Sequence, residues 1–215
     1  MARRLGVRGA ILLIALFAPQ FSSAYEHPLS FNSIWQAYFL GHENINDEEL
    51  AAFLASYVKR PPLPQSGPHV ASIEIETPYE QVVLRTLQRS VDYSPQQADQ
   101  DYRAQSDLIL VRVGINLTPT YSSRVGVSSV NHAVQLRPLD FWRDFSFRLI
   151  QEEKRIAPDK ISGEPLFTQH NGGLSGAEVV LEFDATKVSS APVWIEMRMP
   201  EGNTFTAEFD LERLK

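Results

Sequence analysis

The stretch VWIEMRMPEGNTFTAEFDL, residues 193–211, alternates apolar and polar side chains on both sides of a short polar break. A period of two belongs to β-strands, so each arm presents one apolar face and the break reads as a hairpin turn. With Glu201–Asn203 as a three-residue loop, Met199 opposes Phe205, Met197 opposes Ala207, Ile195 opposes Phe209 and Val193 opposes Leu211. Apolar then meets apolar throughout, with Arg198 and Thr206 on the other side. A two-residue loop would set apolar against polar. Asn203 is the residue expected to take the left-handed position of such a loop.

The rest of the chain from residue 107 onward has the same character. DLILVRVGINL (107–117) is nearly continuous in apolar residues, which fits a strand buried on both faces. Either Leu108 and Leu110 or Ile109, Val111 and Val113 point inward. FSFRLI (145–150) puts Phe145, Phe147 and Leu149 on one face, and AEVVLEFDA (177–185) does the same with Val179, Leu181 and Phe183.

The earlier part is mixed. A helix is expected over 30–41, with Ile34, Ala37, Tyr38 and Gly41 on one face, Phe31 a turn earlier and Gly41 as its stop. A second is expected over 46–60, capped by Asn46, with Leu50, Phe53, Leu54, Tyr57 and Val58 as its stripe. PPLPQSGP (61–68) reads as a proline-rich linker. A strand over 69–77 follows, then helices over 78–90 and 93–105. Both of these begin with a hydroxyl cap, proline at the first helical position and Glu or Gln at the third: Thr77-Pro78-Tyr79-Glu80 and Ser94-Pro95-Gln96-Gln97.

Five or more strands with irregular connections imply an α+β chain. Its expected core is an antiparallel β-sandwich of immunoglobulin-like or C2-like type, with N-terminal helices and one or two helices inserted after the first strand. The expected organisation is a helical segment at 25–60, the linker at 61–68 and the sandwich at 69–215.

Residues 1–24 give the expected address. Arg3, Arg4 and Arg8 precede the apolar run AILLIALFA, and Ser22 and Ala24 are small where a signal peptidase reads. We expect cleavage after Ala24 and a secreted or periplasmic product with no membrane span in the mature chain. Cleavage removes three arginines and takes the net charge from −6 to −9. Such an acidic chain is a poor partner for nucleic-acid phosphates. There are no cysteines, so disulfides, zinc-thiolate sites and cysteine nucleophiles are excluded. No cofactor is implied.

Several stretches resemble reactive sites on composition alone. GLSGA (173–177) loosely matches a nucleophile elbow, but that chemistry needs Ser175 on a strand-to-helix turn, and EVVLEFD reads as a strand. ENINDEE (43–49) offers oxygen ligands without the glycine and glutamate of a calcium loop. In LRPLDFWRDFSFRL (136–149) arginines interleave with aromatics, and Trp142 lies off the Phe145/Phe147 face. Trp142, together with His170 and Asn171 in a polar Asn-Gly turn, is the candidate ligand or partner contact.

Glu74, Glu76 and Glu80 fall within seven positions. Glu74 and Glu76 alternate with Ile73 and Ile75, which places them on the solvent side of a strand. Glu80 completes a capping box with Thr77, so losing its carboxylate should cost about 1 kcal/mol at most. By elimination the chain reads as an exported, non-enzymatic binding or envelope protein, its partner a protein or carbohydrate of the cell envelope. The alternatives are a glycan-acting hydrolase with paired carboxylates across a cleft and an assembly subunit with an open strand edge.

Overall fold

A computed structural model of the chain describes residues 25–42, 47–62, 68–89, 92–117, 139–168, 173–200 and 202–215. The expected leader, most of the proline-rich stretch, Asn44 and Asn46, and the candidates His170 and Asn171 lie outside the described residues. Four α-helices and nine strands are described: α1 (Phe31–His42), α2 (Asp47–Ala55), β1 (Val58–Lys59), β2 (Pro68–Glu76), α3 (Pro78–Gln88), α4 (Pro95–Arg103), β3 (Leu108–Leu117), β4 (Ser146–Gln151), β5 (Lys154–Ile156), β6 (Lys160–Phe167), β7 (Leu174–Asp184), β8 (Pro192–Arg198) and β9 (Thr204–Asp210). They form two antiparallel sheets, ordered β1-β2-β3-β7-β6 and β5-β4-β8-β9, so the class is α+β.

One apolar cluster joins the two sheets. Ile73 and Ile75 of β2, Ile109, Val111 and Val113 of β3, and Val179, Leu181 and Phe183 of β7 meet Phe147, Leu149, Val193, Ile195, Met197 and Phe209 of the other sheet. Each such burial stabilises the fold by about 1.5–3 kcal/mol. The alternation in β3 is thereby resolved: Ile109, Val111, Val113 and Ile115 face the core, while Leu108 and Leu110 are half-buried on the opposite face.

The final hairpin forms with the expected faces but with its register moved by two residues. Met197 pairs with Phe205, Ile195 with Ala207 and Val193 with Phe209. The Gly202 N–H donates to the Met199 carbonyl (2.9 Å), and Gly202, not Asn203, takes the positive φ, at +92°. A shift of two leaves every side chain on the same face, so the apolar pattern tolerates either loop. Glycine then decides, because it adopts positive φ without steric cost.

The helices build a second cluster. Ile34, Ala37 and Tyr38 of α1, Tyr79, Val82 and Val83 of α3, and Ala98 and Tyr102 of α4 are buried together. Gly41 does not end α1, which runs on to His42. It lets α1 approach α3, since a Cβ there would stand 2.5 Å from the Val83 carbonyl oxygen. Phe31 is about half exposed, at 49%.

The second helix is shorter than its pattern implies. It ends at Ala55, and Val58–Lys59 pair with Glu74 and Ile73 of β2, while the Ile75 N–H donates to the Tyr57 carbonyl (3.0 Å). Tyr57 and Val58 fall at helical spacing but are strand-favouring residue types, and here they pair with β2. Pro68 belongs to β2 rather than to the linker.

Candidate functional site

Trp142 does not form an exposed stacking platform. It sits in a 3-10 turn (Phe141–Asp144), 6% exposed, with its indole against Gly163 of β6. A Cβ at Gly163 would lie 2.5 Å from the Trp142 ring, so the glycine is what admits the tryptophan. The cationic Arg143 lies 5.4 Å above the ring. Ser175 stands within β7, in a strand and not on a strand-to-helix turn. Among the described residues, no group of three His, Asp or Glu side chains is placed to hold a metal ion.

The three glutamates come together more closely than alternation alone implies. Glu76 is 3% exposed and forms an ion pair with Arg112 of β3, which also reaches Glu178 of β7 (3.4 Å). Glu74 is half-buried, and burial raises its carboxyl, with the charge of Glu76 adding to the shift. Neither acid is simply solvent-facing, because the outer face of this sheet is partly covered by α3.

Glu80 departs further from expectation. Its backbone N–H donates to the Thr77 hydroxyl oxygen (3.2 Å), which is the cap of α3. Its carboxylate does not reach back to the cap. Instead the residue is fully buried, and neither carboxylate oxygen has a hydrogen-bond partner among the described residues. Burial pushes the Glu80 carboxyl up to about 9; the like charges of Glu74 and Glu76 add to the push and Arg112 offsets part of it. Glu80 is therefore uncharged at neutral pH, a common outcome where solvation of the ion is lost. At α4 the box is complete, with the Ser94 hydroxyl accepting from the Gln97 N–H and Gln97 Oε1 from the Ser94 N–H (2.9 Å).

Beside this junction runs a groove of about 780 Å³. Its floor is the outer face of the five-stranded sheet: Glu76, Leu108, Leu110, Arg112 and Glu182. One wall is α3, which presents Gln81, Leu84, Arg85 and Gln88, with Arg89 at its C-cap; Gln105 and Ser106 after α4 close the other side. Gln81 fixes the wall to the floor, its amide donating to the carbonyls of Glu76 (3.1 Å) and Leu108 (2.8 Å).

The charges in the groove are unevenly compensated. Glu76 is paired with Arg112, and Glu182 lies 2.6 Å from Lys160 Nζ. Arg85 is half-buried and donates to Gln105 Oε1 (2.5 Å), a neutral amide, and takes part in no ion pair among the described residues. Arg89 meets Asp101 only at 3.8 Å, with both side chains exposed, and lies over the Tyr93 ring. Such exposed pairs contribute at most about 1 kcal/mol. The groove thus keeps uncompensated positive charge on the α3 wall of an acidic chain.

Apart from Glu76, none of the polar groove residues stood out in the sequence. Gln81, Arg85 and Gln88 recur at helical spacing opposite the apolar stripe, which is also how an ordinary solvated helix face reads. No protein-family model matches this chain, and no curated protein does.

Proposed function

We propose that the chain is an exported protein that acts by binding, with the groove along α3 as its ligand face. The scaffold in this reading is a sandwich of immunoglobulin-like or C2-like type. The observation that carries it is the groove itself: its volume falls within the range of small-ligand sites, and nine of its twelve lining residues are polar. Among the described residues no helix is long and apolar enough to cross a membrane.

Binding is favoured over carboxylate catalysis by where the acids sit. The two acids lining the groove, Glu76 and Glu182, are each engaged by a cation, and the uncharged Glu80 has no surface in the groove. Glycoside hydrolysis needs one free acid and one base facing a common space. The open edge strand β6 is a weaker candidate, because Lys160 and Pro165 are residue types that blunt strand pairing.

Leu84→Trp, which fills the groove from the α3 wall, tests the reading. Purified wild type and variant are screened against one panel of soluble oligosaccharides and peptides. Binders of the wild type that the folded variant no longer holds support the groove. A panel whose binders are indifferent to Leu84→Trp contradicts it.

A further inference from the structure

Resting on that groove reading, we infer that its ligand is an acidic oligosaccharide whose carboxylates are taken by Arg85 and Arg89. Arg85 on α3 and Arg89 at its C-cap are four positions apart, so their Cβ atoms stand about 6 Å from one another. Arg112 does not compete for the ligand, since Glu76 and Glu178 already engage it.

Arg85 is the residue with most to offer. The Gln105 amide orients the guanidinium without neutralising it. A half-buried guanidinium held in this way keeps its charge and its remaining N–H donors for a planar carboxylate, which Arg grips bidentately.

The rest of the lining selects a sugar over a peptide. Gln88 and Gln105 carry amides that both donate and accept, as sugar hydroxyls do. An extended peptide would gain its affinity by adding to a strand edge. The groove floor is the face of β2, β3 and β7, and the five-stranded sheet has its edges at β1 and β6, so no edge is available there. Among the described residues no aromatic ring lines the groove, so a neutral sugar has nothing there to stack on and charge must supply the affinity.

The test is calorimetric titration of the full mature chain with tetragalacturonate at low ionic strength. Binding is expected to weaken as salt is added. Arg85→Gln should lower affinity about tenfold or more, about 1.4 kcal/mol, while Arg143→Gln, remote on the 3-10 turn, should leave it unchanged. Circular dichroism and the melting temperature confirm that each variant folds.

Equal affinity for the uncharged galactose tetramer, equal affinity for poly-glutamate, or an Arg85→Gln variant that binds as well as wild type would overturn the inference. If tetragalacturonate does not bind, the inference falls. In that case a different panel ligand lost in Leu84→Trp leaves the groove reading standing, and the absence of any groove-dependent ligand removes both.

Discussion

Two buried polar side chains are treated in opposite ways. Gln151, at the end of β4, donates to the carbonyls of Ser189 (2.9 Å) and Ala191 (3.0 Å) and accepts from the Ser189 N–H (2.8 Å) and hydroxyl (3.1 Å). Its four hydrogen-bonding positions are all used. Glu80 is at least as deeply buried and uses none of its oxygens. The sandwich end thus closes on a satisfied network, whereas the α3 junction retains an unsatisfied acid next to a charged groove. Natural proteins tend to violate such rules where function is at stake, and here the unsatisfied acid stands in the helix that walls the groove.

The largest effect that separates the regions should come from the core between the sheets. Phe183→Ala removes a fully buried ring and should cost about 3–5 kcal/mol in chemical denaturation. A loss under about 1 kcal/mol would mean the two sheets do not share one core.

Opposite signs are expected next. Gln151→Leu strands the Ser189 N–H and two carbonyls and should destabilise by about 1–3 kcal/mol. Glu80→Leu removes an unsatisfied group and should be neutral or stabilising by a similar amount. Equal losses in both would erase the contrast.

The same acid gives a pH signature. In the folded chain Glu80 keeps its proton up to about pH 9, while in the unfolded chain it releases it near the ordinary 4.5. Unfolding therefore releases a proton across this window. Its contribution to stability is full below about pH 4.5 and is lost as pH rises through about 9. The groups facing it are Glu74 and Glu76 from β2, Arg112 from β3 and the Tyr57 ring, whose hydroxyl burial holds protonated. Glu80→Gln should flatten the decline in melting temperature between those limits; an unchanged profile would show that Glu80 is charged in the fold.

The smallest effect lies at the satisfied cap. Ser94→Ala should cost about 1 kcal/mol, and it should leave tetragalacturonate binding intact.

Much of the framework was legible in the sequence, and particular residues show where legibility stops. The buried face of α1 and the inward residues of β4 and β7 follow from periodicity, because burial is set by which side a residue falls on. The hairpin parity followed for the same reason, but its register did not, since a period-two pattern repeats after a shift of two and only the Gly202 backbone breaks the tie.

Gly41 looked like punctuation and is a clearance for Val83, as Gly163 is for Trp142, contacts remote in sequence. The end of α2 was set by pairing with β2, which the helical spacing of Tyr57 and Val58 does not register. The groove was hidden because a ligand-facing polar stripe and a solvated one share a pattern. Arg85 becomes distinctive only when its partner is seen to be an amide. Glu80 matched a capping motif that its side chain does not make.

The central claim is that the function belongs to the α3 groove and not to the sandwich surfaces. Backbone amide chemical-shift mapping during titration with tetragalacturonate tests it most directly. The account predicts shifts concentrated at residues 81–89 and 105–112, with β6 and α1 unmoved. Shifts centred on Lys160–Phe167 or on Phe31–His42, with α3 silent, would contradict it.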